Sequence, residues 1–152
     1  MTLTSSPYAE GLDRCEANYV ALSPLSFLVR SAAVYPDRLA IIHGARRYTW
    51  REMYTRSRRL ASALKARGVG RGDTVAVVLN NTPEMLEAHF GVPAIGAVLN
   101  TINTRLDADV TAFIFGHGEA KVLLTDREYS QVVREALRRA NRQDLLVVDV
   151  DD

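Results

Sequence analysis

A regular alternation of helical and strand patterns, from residue 49 to the end of the chain, constrains the fold more than any other feature. Four short apolar runs have the composition of buried strands; they cover residues 74–79, 98–99, 121–124 and 145–148. Apolar residues at helical spacing fill the stretches before and between these runs. This alternation predicts an α/β domain with a mostly parallel sheet, flanking helices and right-handed crossovers.

A helix and a hairpin precede the alternating part. Ser23 followed by Pro24 is a typical helix start. The predicted apolar face of this helix comprises Leu25, Leu28, Val29 and Ala32. Residues 39–49 predict two short strands around a glycine turn. Residues 1–22 show no periodicity, so we predict an N-terminal arm over 1–22 and one α/β subdomain over 23–152.

Typical N-cap residues mark the starts of the four helices in the alternating part. They are Thr49, Thr82, Asp107 and Thr125. A glutamate follows Thr49 and Thr125 three residues later, which is the spacing of a capping box. Pro93 lies inside the stretch after Thr82 and is expected to kink that helix or to end it early.

The glycine-rich stretch at residues 68–73, Gly-Val-Gly-Arg-Gly-Asp, looks at first like a phosphate-binding loop. A dinucleotide-binding turn follows a strand and opens a helix, so that the helix N-terminus faces the pyrophosphate. This stretch instead follows a predicted helix and precedes a predicted strand. We therefore expect it to be a helix stop and a connecting turn.

The sequence has no motif for metal binding or covalent catalysis. His43, His89 and His117 are not spaced with other ligand-type residues as metal ligands are. For His89 we expect a satisfied, partly buried side chain. Cys15 is the single cysteine and lacks a nucleophile pattern, so we expect a free thiol. We predict no catalytic residue and no metal ligand in this chain.

The N-terminal residues lack the basic and apolar regions of a signal peptide. The longest uncharged stretch, residues 88–104, contains a proline, two glycines and two asparagines, which makes it too polar and too broken for a membrane span. A single cysteine suits a reducing compartment. We therefore predict a cytoplasmic protein. Arginine outnumbers lysine seventeen to two, a correlate of GC-rich bacterial genomes.

Residues 46–71 hold nine basic side chains and one acidic side chain, Glu52. Such a surface can bind RNA. However, Trp50 and Tyr54 lie on the predicted apolar face, so no aromatic residues are interleaved for base stacking. We expect a solvated helix face or one that another domain covers. The net charge of +1 gives no overall field that favours nucleic acid or a membrane surface.

The predicted loop at residues 100–104 follows the second strand of the sheet and contains small hydrogen-bonding residues. Ligands of parallel α/β sheets bind beyond the carboxyl ends of the strands, where this loop is expected to lie. Arg105 follows the loop, and its guanidinium can hold a phosphate or a carboxylate. Alternatively, Arg105 forms only a surface salt bridge with Asp107 or Asp109.

Six segments resemble, in order and spacing, the N-terminal part of the adenylate-forming acyl-CoA synthetases. They are Tyr-Pro-Asp-Arg-Leu-Ala at 35–40, Arg-Tyr-Thr-Trp-Arg-Glu at 47–52, Gly-Val with Asp-Thr-Val-Ala-Val within 68–77, Asn-Asn-Thr-Pro-Glu at 80–84, Gly-Ala-Val-Leu-Asn with Asn-Thr-Arg-Leu within 96–106, and His-Gly-Glu-Ala-Lys with Thr-Asp within 117–126. The fifth segment contains Asn-x-x-Asn-Thr-Arg-Leu. This version resembles the one in bacterial and plant enzymes of the family that act on short- and medium-chain or aromatic acids.

The resemblance implies a ligase, typically of fatty acid metabolism, that works in two steps. A carboxylate attacks the α-phosphate of Mg-ATP to give an acyl-adenylate, and the thiol of coenzyme A then displaces AMP. ATP, Mg²⁺, coenzyme A and a small carboxylic acid are thus implied for the full-length enzyme, and no cofactor for this chain by itself. The family's phosphate loop and its later motifs are absent, so the chain resembles roughly the first third of such an enzyme.

Two expectations follow from this incomplete resemblance. The chain alone is expected to be inactive, with the remainder of the synthetase as its partner. In some acid–CoA ligases the arginine of an Asn-x-Arg-Leu loop contacts phosphates of the coenzyme A nucleotide, and Arg105 matches that position. The resemblance therefore implies a coenzyme A phosphate ligand at Arg105 in the complete enzyme.

Two other functions stay open. The chain can be a stand-alone, non-catalytic α/β module for protein assembly, or a complete small domain that binds an anionic ligand. The chain stops at Asp152, shortly after the last predicted strand, which leads us to expect a subdomain cut from its neighbours. Such a piece exposes a sheet edge and apolar surface, so we also expect self-association.

Overall fold

The computed structural model describes residue 11 and residues 13–151. Its helices are α1 (Pro24–Val34), α2 (Trp50–Ala66), α3 (Pro83–Gly91), α4 (Ala108–His117) and α5 (Ser130–Arg139). Its strands are β1 (Leu39–His43), β2 (Arg46–Thr49), β3 (Thr74–Val78), β4 (Val98–Thr101), β5 (Ala120–Asp126) and β6 (Leu146–Val150). Half of the arm predicted over residues 1–22 lies outside the described residues.

Strands β3 to β6 form one sheet in the order β4–β3–β5–β6, and every neighbouring pair in it is parallel. Val75 of β3 lies opposite Leu99 of β4 and Val122 of β5. Strands β1 and β2 pair as a separate antiparallel hairpin. The predicted α/β class, the parallel sheet and the hairpin are therefore confirmed.

The central strand β3 is covered on both faces, as its uninterrupted apolar sequence predicts. Val75 and Val77 point into a core shared with α2 and α3, whereas Ala76 and Val78 point into a core shared with α4 and α5. Val75, Ala76 and Val77 are fully buried. The chain leaves β3 toward α3 and later leaves β4 toward α4, so the two connections lie on opposite faces of the sheet.

The capping box at Thr49 is confirmed. The Thr49 hydroxyl accepts a hydrogen bond from the Glu52 N–H, and the Glu52 carboxylate accepts one from the Thr49 N–H at 2.7 Å. The Thr49 N–H and the Thr49 hydroxyl both donate to the Glu52 carboxylate, and these two bonds lower the pKa of Glu52. Asp107 is confirmed as the N-cap of α4, since its carboxylate accepts from the Val110 N–H at 2.9 Å.

The capping box predicted at Thr125 is wrong. Strand β5 continues through Asp126, because this residue pairs with Val150 of β6, and the buried Thr125 therefore stays in the strand. The Asp126 carboxylate accepts from the Glu128 N–H at 2.8 Å and starts a short 3-10 turn, after which α5 begins at Ser130. The cap is thus one residue later than the sequence pattern indicates.

The helix that follows β3 is short, as Pro93 predicts. Helix α3 ends at Gly91, and Pro93 starts a 3-10 turn. Thr82 precedes α3 with an extended backbone, but its hydroxyl makes no capping hydrogen bond and is buried without a partner among the described residues. The fixed backbone of Pro83 at the first helical position marks this start instead.

The glycine-rich stretch forms the predicted helix stop and turn. Gly68, with φ of 79°, follows the end of α2, and Gly72, with φ of 84°, precedes β3. The Asp73 carboxylate accepts from the Gly70 N–H at 2.8 Å. The Lys121 Nζ lies 2.8 Å from the other oxygen of the same carboxylate, Oδ1. The Lys121 ammonium and the Gly70 N–H both lower the pKa of the Asp73 carboxyl. These contacts lie at the N-terminal edge of the sheet.

Helix α1 buries less than its sequence predicts. Leu28 alone of the predicted apolar face is fully buried, in a small cluster with Ile41 of the hairpin and Met53 of α2. Val29 is half exposed. The reason is that α1 packs on one side only, mainly against α2. Within the described residues, no helix has the length and apolar character that crossing a membrane requires.

Candidate functional site

The candidate site lies where the chain leaves β3 and β4, at the C-terminal edge of the sheet. Neighbouring loops that diverge to opposite faces leave a crevice between them, and parallel α/β sheets bind ligands at such points. Here the crevice is a cavity of about 390 Å³. Its walls are formed by Leu79, Asn80, Asn81, Met85, Thr101, Ile102, Asn103 and Thr104.

The loop that follows β4 is shorter than predicted. Asn100 and Thr101 extend β4, opposite residues of β3, so the loop starts at Ile102. The Ile102 N–H donates to the Val77 carbonyl at 2.8 Å, and the Ile102 side chain is buried. The Asn100 side chain packs against Gly118, where a Cβ would lie 2.9 Å from the amide nitrogen. Two of the predicted loop residues therefore belong to the sheet.

A compact turn presents Arg105. The Asn103 side-chain oxygen accepts from the Arg105 N–H at 2.9 Å, and the Asn103 carbonyl accepts from the Leu106 N–H at 3.3 Å. Two residues after Arg105, Asp107 caps α4. The backbone of Arg105 is thus fixed between a turn and a helix start, beside the cavity wall.

The guanidinium of Arg105 is exposed and pairs with no residue between 13 and 151 or with residue 11. The two carboxylates that sequence reasoning offered as partners are engaged elsewhere. Asp107 accepts the Val110 N–H, and Asp109 forms an ion pair with Arg139 of α5. The structure therefore does not contain the surface salt bridge that was the alternative interpretation of Arg105.

The opposite wall of the cavity is held by Asn80. Its side-chain oxygen accepts from the Tyr129 hydroxyl at 2.6 Å, and its amide nitrogen donates to the Glu128 carboxylate at 3.1 Å. The turn after β5 therefore fixes the loop after β3. Sequence reasoning missed this network, because Asn80 and Tyr129 are 49 residues apart. The only signal was an asparagine directly after a buried strand.

The cavity lining is neutral. Three asparagines and two threonines supply its polar groups, and none of its lining residues carries a charge. Leu79 and Ile102 are buried beneath it. The Asn80 side chain makes one donated and one accepted hydrogen bond, whereas no hydrogen bond of the Asn81 side chain occurs within the described part of the chain. A neutral polar group with an apolar side fits such a lining, and an anion fits the neighbouring Arg105.

The three histidines and the single cysteine do not line this cavity. The Nδ1 atom of His89 lies 2.8 Å from the Met85 carbonyl, so the ring is satisfied, but it is exposed and not partly buried as predicted. His89 is exposed because it lies on the outward face of α3. His117 stacks on Phe113. Cys15 is free and exposed. The described residues bring no three His, Cys, Asp or Glu side chains together.

The basic stretch at residues 46–71 is more than a solvated face. Arg46 lies 3.0 Å from the Glu84 carboxylate, and Arg56 binds both Glu84 and Glu87. These carboxylates belong to α3, so they join the hairpin and α2 to α3. Burial raises the pKa of the Glu87 carboxyl, although the bond to Arg56 acts in the opposite direction. Part of the charge of this stretch therefore lies in contacts between elements of the fold.

A model of the AMP-binding enzyme family matches residues 28–152 of the chain. The chain is 50% identical over 129 residues to the peroxisomal acetate/butyrate–CoA ligase of Arabidopsis thaliana, and 44% identical over 135 residues to the peroxisomal benzoate–CoA ligase of the same plant. These alignments cover 85% and 89% of this chain. The chain spans 23% of the length of each relative.

Solved structures show the same relationship. An anthranilate–CoA ligase in complex with anthranoyl-AMP matches 83% of this chain and 24% of that chain, with a TM-score of 0.77 and 26% identity. A fatty acyl-CoA synthetase of Mycobacterium tuberculosis matches 84% of this chain and 26% of that chain, with a TM-score of 0.75 and 27% identity. With the family match over most of its length, the chain belongs to the AMP-binding enzymes, and it corresponds to an N-terminal part of an acyl-CoA synthetase.

Proposed function

We propose that this chain is the N-terminal part of an acid–CoA ligase, which joins a carboxylic acid to coenzyme A in a reaction driven by ATP. Family membership and the named activities of the relatives support this proposal. Those relatives are ligases for acetate, butyrate and benzoate, so the acids proposed here are short- or medium-chain fatty acids or aromatic acids. Because the chain spans about a quarter of its relatives, it is expected to be inactive alone.

The proposed reaction has two steps. A carboxylate oxygen attacks the α-phosphorus of ATP, and the bond to pyrophosphate breaks as the acyl-adenylate forms. The sulfur of coenzyme A then attacks the acyl carbon, AMP leaves, and the thiol proton is released. Mg²⁺ neutralises phosphate charge in such reactions, but the described residues offer no cluster of ligands for it, so none is assigned to it.

Within this chain we assign one role, the binding of a coenzyme A phosphate by Arg105. The observation that carries the assignment is the Arg105 guanidinium at the C-terminal edge of the sheet, which has no counter-ion in the part of the chain that the structure describes. A planar guanidinium binds a phosphate through parallel hydrogen bonds that include its charge. An anion at this position also lies beside the cavity between the loops after β3 and β4.

The test compares Arg105→Ala with Arg59→Ala in the full-length ligase. Arg59 is an exposed arginine of α2, with no ion pair in the described part of the chain, so its replacement controls for the loss of one positive charge. We expect Arg105→Ala to raise the KM for coenzyme A about tenfold or more, because a hydrogen bond between charged groups is lost. ATP–pyrophosphate exchange, which reports the first step, should be unchanged.

An equal loss in pyrophosphate exchange and in thioester formation would refute a role that is specific to coenzyme A. A KM for coenzyme A that stays at the wild-type value in Arg105→Ala would refute any role in phosphate binding. Arg59→Ala is expected to behave as wild type in both assays.

A further inference from the structure

We propose that the outward face of α2 docks an acidic helix of a partner protein. This surface, the basic face, comprises a row of basic residues, two small residues beside the row and one more arginine beyond them. In that order they are Arg51, Arg58 and Lys65, then Thr55 and Ser62, then Arg59. None of the six lines the cavity at the C-terminal edge of the sheet, so the proposal is independent of the ligase site.

The basic face lies on the side of α2 that points away from the rest of the protein. Met53, Ser57, Ala61 and Leu64 are buried and define the inward side of the helix. With about 3.6 residues per turn, the six residues of the basic face fall on the far side. All six are exposed. A partner can therefore reach this face without any rearrangement of α2.

Two adjoining grooves run along the basic face. One groove of about 270 Å³ is lined by Thr55, Ser62, Arg58 and Arg59. The other, of about 260 Å³, shares Thr55 and Arg59 with the first and extends to Arg51. Small side chains between long ones thus leave a depression along α2, and a second helix packs its ridge of side chains into such a groove.

The spacing of the basic face matches a helix and not an extended chain. Arg51, Arg58 and Lys65 follow one another at intervals of seven residues, and the same interval separates Thr55 from Ser62. Seven residues span two turns, about 10.5 Å along the axis, so the row stays beside a second helix that crosses at a small angle. In such pairs, charges that flank the seam select the partner. Carboxylates at seven-residue spacing therefore complement this face.

Most of the charge on the basic face is unpaired. Arg59 and Lys65 have no ion pair or hydrogen bond in the described part of the chain, and no carboxylate there binds Arg58. Arg51 binds Asp37 at 3.2 Å, but both side chains are exposed, and such a pair contributes little. An acidic partner therefore gains ion pairs that the described part of the chain does not make.

The basic face lacks the features that favour RNA or a membrane surface. Binding of single-stranded RNA uses free aromatic rings for base stacking. The Tyr54 ring is only partly exposed and lies under Arg58, at 5.5 Å, and the Tyr48 ring lies under Arg56, at 4.7 Å. A helix that binds a membrane surface inserts large apolar side chains. In α2, all of which the structure describes, no such side chain is exposed. A protein helix is thus the favoured partner.

The test measures the binding of labelled probes to the full-length protein by fluorescence anisotropy at low salt, where exposed ion pairs are least screened. The first probe is an alanine-based helical peptide of three heptads, with two glutamates per heptad that flank an alanine seam. The second is a helical peptide of the same composition whose glutamates are spread around the helix. Oligouridylate and vesicles that contain phosphatidylserine represent RNA and membranes.

The variants separate charge from shape. Arg58→Ala combined with Lys65→Ala removes two charges of the basic face, whereas Ser62→Trp fills the groove and leaves every charge in place. The matched control for charge is Arg30→Ala with Arg134→Ala, because both arginines are exposed and have no ion pair in the described part of the chain. A tryptophan at another exposed helix position, Gln131→Trp on α5, is the control for shape.

We expect the heptad peptide to bind the wild-type protein about tenfold more tightly than the scrambled peptide, because only the heptad peptide aligns several ion pairs at once. The double alanine variant should bind the heptad peptide about three- to tenfold more weakly. Ser62→Trp should weaken binding about tenfold or more, since the indole occupies the seam. Both controls should bind as wild type does. Circular dichroism verifies that each variant folds, and Ser62→Gln replaces Ser62→Trp if the latter does not fold.

Three results would overturn the docking surface. If neither peptide binds, no acidic helix is accommodated, whether solvent or another part of the full-length protein covers α2. Equal affinities for the two peptides, or unchanged binding to Ser62→Trp, would show attraction between charges without a helix in the groove. Tighter binding of oligouridylate or of the vesicles than of the heptad peptide would assign the face to nucleic acid or to a membrane instead.

Discussion

The carboxylate of Asp109 on α4 is bound by the guanidinium of Arg139 on α5, and not by Arg105 four residues earlier. Arg139 also binds Glu135, which holds Arg138 as well. These two arginines lower the pKa of Glu135 to about 2. The pairing between α4 and α5 thus satisfies the nearby acids and keeps Arg105 available for an anion.

This relationship predicts an effect of Arg139 on a ligand that it does not touch. In the proposed full-length ligase, Arg139→Ala is expected to release Asp109, whose negative charge would then compete with a phosphate at Arg105. We expect the Kd for coenzyme A to rise about two- to fivefold, the range of exposed ion pairs. Adding Asp109→Asn to Arg139→Ala should restore the wild-type Kd in titration calorimetry. A double variant that binds as weakly as Arg139→Ala would show that Asp109 is not the cause.

The bond between Tyr129 and Asn80 predicts a loss of stability. Tyr129→Phe removes the hydroxyl that donates to Asn80 and leaves the ring in place. The expected cost is about 1 kcal/mol in the free energy of unfolding, measured by urea denaturation. Tyr35→Phe is the control, since Tyr35 is exposed and its hydroxyl has no hydrogen bond in the described part of the chain. Equal stability of Tyr129→Phe and Tyr35→Phe would contradict the network.

Two glycines are predicted to respond in opposite ways to replacement by alanine, because Gly91 lies in the contact between α2 and α3 and Gly116 does not. A Cβ on Gly91 would lie 2.8 Å from the Ser57 carbonyl oxygen, so Gly91→Ala forces the helices apart. We expect a loss of about 1–3 kcal/mol in urea unfolding. Gly116 of α4 has no atom near its Cβ position, so Gly116→Ala should be neutral or stabilising by up to about 1 kcal/mol. A harmless Gly91→Ala would show that the helices are not packed this closely.

Glu87 predicts a dependence of stability on pH. Burial raises the pKa of its carboxyl, despite Arg56, so the folded state holds the proton more tightly than the unfolded state. The carboxyl therefore favours the folded state below pH of about 4.3, and this contribution is lost as the pH rises through the raised folded-state pKa.

Comparison with Glu87→Gln isolates this carboxyl from those of Glu52, Asp73 and Glu135, whose pKa values are lowered and which act in the opposite direction. We expect the stability of the wild type relative to Glu87→Gln to fall as the pH rises from about 4.3 through the raised folded-state pKa. Urea unfolding at a series of pH values measures it. A difference that grows with pH would mean that Arg56 outweighs burial.

Local signals account for what the sequence predicts correctly. The run at 74–79 shows the central strand because its apolar character persists without interruption, and Thr49 with Glu52 shows a helix start because both partners lie in one turn. Pro93 ends α3 for an equally local reason. The order of the elements alone also predicts that Arg105 lies at the C-terminal edge of the sheet.

Contacts between distant residues account for what sequence reasoning missed. The extension of β5 through Asp126 depends on its pairing with β6, which local propensity does not contain. The exposure of α1 depends on which elements pack beside it. Two of the missed contacts join residues more than 30 positions apart, namely Arg56 with Glu87 and Asn80 with Tyr129. No pattern in either segment predicts which distant residue is its partner.

The most direct test of the central claim uses two acyl acceptors with the full-length ligase. Coenzyme A carries the nucleotide phosphates, whereas pantetheine has the same thiol arm without them. We predict that Arg105→Ala lowers kcat/KM for coenzyme A about tenfold or more and leaves kcat/KM for pantetheine unchanged. An equal loss with both acceptors would contradict the claim that Arg105 binds a coenzyme A phosphate.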